Sequence, residues 1–179
     1  KGNGSGLSLY RMYHMAAAFH LGDTALALDH LLAGKGYIKA LQGSAYMADW
    51  HLYQFMVAAA HADHPRHGRP CRALMEASRK ACTAWAGMVP ENFMAIKHLM
   101  DAEVLALRGK EHAAAAAYQK AIDAAPATGN PRDLALILER AALFHLRAKN
   151  TSFGRYLMND ALRQYGLWGA HGKTRQLRV

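Results

Sequence analysis

Apolar side chains recur at intervals of three and four residues along almost the whole chain, the repeat of a helix with one buried face. Leu9, Met12, Tyr13, Ala16, Phe19 and His20 make one stripe, and Leu28, Leu31 and Leu32 continue the pattern beyond Gly22-Asp23. Composition points the same way. Ala supplies 36 of the 179 residues and Leu 22, against 13 for Val, Ile and Thr together, which favours helix over sheet. No apolar run approaches a bilayer-spanning length, so no transmembrane segment is expected.

Punctuation then divides the chain. Thr24 is expected to cap the second helix, and Trp50, Tyr53, Val57 and Ala60 mark a third. Two prolines and a glycine make residues 62–70 a loop insertion, with a fourth helix from Cys71 to Ala86. Phe93, Ile96, Leu99, Met100, Val104 and Leu107 stripe a fifth, and a sixth spans Glu111–Ala125. Pro131 suits the first position of a seventh. An eighth carries the stripe Phe153, Tyr156, Leu157, Ala161 and Tyr165, with a ragged tail after Trp168. The glycine-rich residues 1–6 read as a flexible linker, and residues 7–179 as one helical domain.

The helices pair. Gly109, Ala114, Tyr118, Ala121 and Pro126 follow the spacing Gly-x4-Ala-x3-Tyr-x2-Ala-x4-Pro, similar to the turn and second helix of a tetratricopeptide repeat. The same register from Gly22 meets Ala27, Leu31 and Gly34, and from Lys149 it meets Gly154, Met158 and Ala161. Small residues at these six places let two helix backbones approach closely. The expected fold is therefore all-α: antiparallel helix pairs, about eight helices, stacked as a right-handed tetratricopeptide-like solenoid.

A net charge of +9 would attract polyanions, but the cations are dispersed, dense only at Arg66–Arg72 and at Lys173, Arg175 and Arg178. Cys71 and Cys82 are too far apart along one helix for a disulfide, and reduced, buried thiols fit a cytoplasmic location. The apparent chemistry is thin. Gly172-Lys173-Thr174 lacks the glycine that a phosphate loop needs five residues before Gly172, and a frayed basic helix is the alternative. His61, Asp63, His64, His67 and Cys71 crowd one loop, yet their spacing suits a solvated, pH-responsive loop better than zinc. His98, Asp101 and Glu103 have no nucleophile beside them, and Trp50, Tyr53 and Phe55 read as core. No catalytic residue, cofactor site or metal site is assigned.

Val89-Pro90-Glu91-Asn92-Phe93, then Asp101-Ala102-Glu103, Arg108-Gly109 and the closing Tyr165-x-x-Trp168-Gly169-Ala170-x-x-Lys173 resemble the helical region of large multidomain signalling ATPases. In that family the region follows an AAA/STAND-type ATPase domain, often with Ser/Thr-kinase-like, GAF and histidine-kinase or nucleotide-cyclase domains in the same chain. The resemblance implies a non-catalytic scaffold that couples domains or binds a protein or peptide. None of the family's catalytic motifs lies in this segment. Because first helices line the concave side of such arrays, His14, Tyr53, Lys97 and Arg140 are the expected partner-binding residues. A basic solenoid that binds nucleic acid or an anionic membrane surface is the alternative.

Overall fold

The computed structural model describes residues 4–178. Among them are nine α-helices and no strand: α1 Gly4–His20, α2 Thr24–Gly34, α3 Tyr46–Ala60, α4 Gly68–Met88, α5 Pro90–Leu107, α6 Glu111–Ala124, α7 Pro131–Arg147, α8 Thr151–Trp168 and α9 His171–Leu177. Two short 3-10 helices, Ile38–Leu41 and Ala125–Thr128, complete them. The chain forms two compact units, Lys1–Ala81 and Cys82–Val179, and the division falls within α4. None of the described helices is long and apolar enough to cross a membrane.

One turn is used four times. Gly22, Gly109, Lys149 and Gly169 each hold a positive φ, between 62° and 85°. In each case that residue's N–H donates to the carbonyl three residues back, as Gly109 does to Ala106 at 3.0 Å. The next N–H donates five residues back: Asp23 to Ala18, Lys110 to Leu105, Asn150 to His145 and Ala170 to Tyr165, each at 2.9 Å. This paired pattern closes the orphan carbonyls of a helix end. Asp23, Lys110, Asn150 and Ala170 are also the caps of the next helix, with φ from −89° to −78° and ψ from 59° to 74°. Each cap carbonyl receives the N–H of Ala27, Ala114, Gly154 or Thr174. Lys149 occupies this conformation without being a glycine.

Across these turns the helices fold back on each other. Phe153 rests against His145 beside the α7–α8 turn, whereas Tyr165 bonds Glu139 farther from it on both helices. Ala27, Ala114, Ala121 and Ala161 are fully buried, and Gly34 and Gly154 are buried as well. A Cβ on Gly34 would lie 2.5 Å from the Trp50 ring and 3.0 Å from the Arg11 Cβ. On Gly154 it would lie 2.7 Å from Leu146 Cγ. Both distances are too short for an unshifted contact, so glycine sets how closely these helices meet.

Buried polar side chains tie helices within each unit. In the first, Trp50 Nε1 donates to Gln54 Oε1 at 3.0 Å, and Gln54 Nε2 donates to Ser78 Oγ at 2.9 Å, joining α3 to α4. In the second, the Glu103 carboxylate accepts two 2.8 Å hydrogen bonds from Arg140 and one of 2.7 Å from Tyr118. Glu139 accepts from Tyr165 at 2.5 Å and from Lys173 at 2.6 Å. Both use one plan: a carboxylate on one helix, a tyrosine on the next, and a cation on the helix after that.

Several expectations change. Gly4–Gly6 belong to α1, so of the expected linker only residues 1–3 remain, and those lie outside the described residues. Within the expected domain over 7–179 the chain packs as two compact units. The loop after α3 ends at His67, because Pro70 falls in the first turn of α4, where no intrahelical N–H is needed. Asp23, not Thr24, caps α2, its carboxylate accepting the Leu26 N–H at 3.0 Å. The ragged tail is α9, held by Lys173. Tyr13 and Tyr156, set on the apolar stripes by spacing, are 54% and 61% exposed.

Candidate functional site: an aromatic and cationic face on the first helix

The buried side of α1 is Ser8, Met12, Met15, Ala18, Phe19 and His20. Ser8 is the reason the spacing misleads. It sits in the core because its hydroxyl lies 2.7 Å from the Gly4 carbonyl and 2.8 Å from the Tyr37 carbonyl and donates between them. A polar residue on the inner stripe turns the aromatics outward. Tyr10 and Tyr13 are half exposed, with His14, Ala17 and Leu21 also at the surface.

Neighbouring elements extend this face. Tyr46, at the start of α3, is 41% exposed and meets Tyr13 edge to face at 6.4 Å. From α2, His30 stacks on His14 with ring centroids 5.2 Å apart, and Tyr10 lies 4.3 Å from His14. Arg11 places its guanidinium 5.6 Å from the Tyr10 ring centroid. The close approach at Gly34 seats the Arg11 stem beside α2.

Arg11 Nη1 lies 3.3 Å from His30 Nδ1. A guanidinium only donates, so Nδ1 accepts and the His30 proton resides on Nε2. Burial lowers the His30 pKa, and the charges of Arg11 and His14 lower it further against the opposing pull of Asp29. Among the described residues no carboxylate lies within ion-pair reach of Arg11, and its Nε is buried without a hydrogen-bond partner.

Of the four residues expected to contact a partner, His14 lies on this face. Tyr53 does not: it is 3% exposed, its hydroxyl 2.9 Å from His20 Nε2, a buried pair between α1 and α3. Lys97 is half-buried and donates to Asp101 at 2.8 Å. Arg140 is held by Glu103 within the second unit, its side chain 18% exposed. These placements share a cause: helix phase shows which way a residue points, but not whether the next helix covers it.

The remaining candidates separate too. Asp101 turns to Lys97 and Glu103 to Arg140 and Tyr118, while burial and then Lys97 lower the His98 pKa. Burial alone would raise the Glu103 carboxyl. Arg140, with the Tyr118 hydroxyl, outweighs it and holds the group below its ordinary value. His61 Nε2 bonds the Thr24 carbonyl, and His64 Nδ1 accepts the N–H groups of Arg66 and His67. Among the described residues no three metal-ligating side chains converge. Cys71 and Cys82 are free and buried; burial, then the Asp101 charge, pushes the Cys82 thiol up to about 12. The buried Glu103 and Glu139 networks were missed, though each acid stands at a core position among apolar neighbours, a readable sign of a buried partner. No protein-family model matches this chain, and no curated protein or solved structure matches it either.

Proposed function

We propose that this chain is a non-catalytic interaction module, and that the outer face of α1 with the start of α3 receives a protein segment. The observation that carries the reading is the exposed group of Tyr10, Tyr13 and Tyr46, contributed by two neighbouring helices around His14. Tyrosine offers a large, rigid, amphipathic contact area at low entropic cost and is enriched where binding energy concentrates. On this reading the recurring turn builds tetratricopeptide-like pairs, stacked as a solenoid, that act as a spacer within a cytoplasmic multidomain signalling ATPase. The resemblance to that helical region and the four equivalent turns support it.

Salt separates this function from a polyanion-binding solenoid. Immobilised protein should retain bound protein between roughly 50 and 200 mM salt, because aromatic contacts are weakly screened. Retention of single-stranded nucleic acid or anionic vesicles that falls steeply over the same range, with no protein retained, would reverse the assignment.

A further inference from the structure

The occupant of the α1 face can be specified further, on the basis of the interaction reading above. We infer that it is an acidic peptide segment whose Asp or Glu side chain pairs with the Arg11 guanidinium beside His14 and His30 while its apolar residues lie on Tyr10, Tyr13 and Tyr46. Two observations carry this. Arg11 is a fixed cation with no carboxylate in ion-pair reach among the described residues, and its buried Nε lacks a hydrogen-bond partner. His30 and Tyr10 lie against the guanidinium and His14 against both of them, while the exposed Asp29 is the acidic group acting on His30. A guanidinium flanked by imidazoles and tyrosine rings is complementary to a carboxylate set in an aromatic surround. The aromatic side of the face favours peptide over polyanion, since a phosphate chain has nothing to place on three tyrosine rings except where bases stack.

The pH dependence follows from the same geometry. A carboxylate paired with Arg11 and close to His30 offsets the guanidinium charge and favours the imidazolium, so occupancy raises the His30 pKa from its lowered value. Affinity therefore increases as the pH falls from roughly 7.5 to 5.5.

The test uses the full chain and two fluorescent decapeptides, one alternating Glu with Leu and the other alternating Gln with Leu, beside phosphatidylserine vesicles. Binding is followed by anisotropy and by the histidine Hε1 NMR signals. The expected result is preference for the Glu peptide by roughly fivefold or more, an upward shift of the His30 titration, and loss of the preference in Arg11→Gln. His14→Asn, at an exposed position, gives the same direction of loss if Arg11→Gln folds poorly. Equal binding of the two peptides overturns the acidic occupant but leaves the interaction face standing. Binding of vesicles alone, or of neither peptide, overturns the inference.

Discussion

Lys173 of α9 places its Nζ 2.6 Å from the Glu139 carboxylate of α7, and both side chains are about one-tenth exposed or less. Tyr165 donates to the other carboxylate oxygen, and Lys173 also donates to Gln176 at 3.0 Å. The buried anion is therefore satisfied from two helices. Removing the cation alone leaves a desolvated charge, which typically costs about 3–5 kcal/mol. Lys173→Met should lower the urea midpoint accordingly and release the α9 amides to fast exchange. Adding Glu139→Gln should recover most of the loss, and a double variant as unstable as the single one would contradict a paired role.

Lys149 offers the opposite sign. It is the non-glycine residue with positive φ among those described, at 62°, and it stands where the other three turns have glycine. A left-handed non-glycine residue costs roughly 1–2 kcal/mol, partly offset by the greater unfolded-state freedom of glycine. Lys149→Gly should stabilise the protein by about 0.5–1 kcal/mol in thermal unfolding. Destabilisation would show that its side chain is needed in the turn.

Two glycines of α8 make an internal control. A Cβ at Gly154 runs into Leu146, whereas one at Gly166 meets nothing within 4 Å. Gly154→Ala should destabilise by about 1–3 kcal/mol through overpacking. Gly166→Ala should stabilise by about 0.5–1 kcal/mol through helix propensity. Equal effects would mean that the close approach of α7 and α8 does not depend on glycine.

This contrast also marks what a sequence can reveal. The register Gly22, Gly109 and Lys149 coincides with the turns, because a helix reversal with so short a link demands one particular backbone conformation and small residues beyond it. Asn130 and Pro131 set the start of α7 for the same local reason, the Asn130 side chain accepting the Arg132 N–H at 3.0 Å. What depended on tertiary partners was illegible. α9 is short, basic and glycine-containing, and exists in this place because Lys173 finds Glu139. Gly169, the turn residue between α8 and α9, carries no such signal because no helix is visible in the sequence after it. The outward face of α1 was hidden by Ser8, whose burial rests on the Tyr37 carbonyl far along the chain.

Acid should weaken the fold before its carboxylates titrate. Burial lowers the pKa of His30, His51, His98 and His145. Unfolded, a histidine titrates near about 6.5, so below that pH the unfolded state takes up protons that the folded state refuses, and stability falls as the pH falls. Glu103, held below the ordinary carboxylate value, gives up its contribution only at lower pH. The urea midpoint should therefore drop between roughly pH 7.5 and 5.5. His51, whose Nδ1 lies 3.2 Å from Ser78 Oγ, should flatten that slope when replaced as His51→Gln. A midpoint independent of pH over this range would contradict the assignment.

The central claim is that the tyrosines of α1 and α3 serve a partner rather than the fold. The direct measurement is the thermal midpoint and the protein retention of one triple variant, Tyr10→Ser, Tyr13→Ser and Tyr46→Ser. Because all three are exposed by 41% or more, the midpoint should stay within about 2 °C of the parent while retention is lost. Retention that survives the three substitutions, or a midpoint that collapses along with it, would contradict the claim.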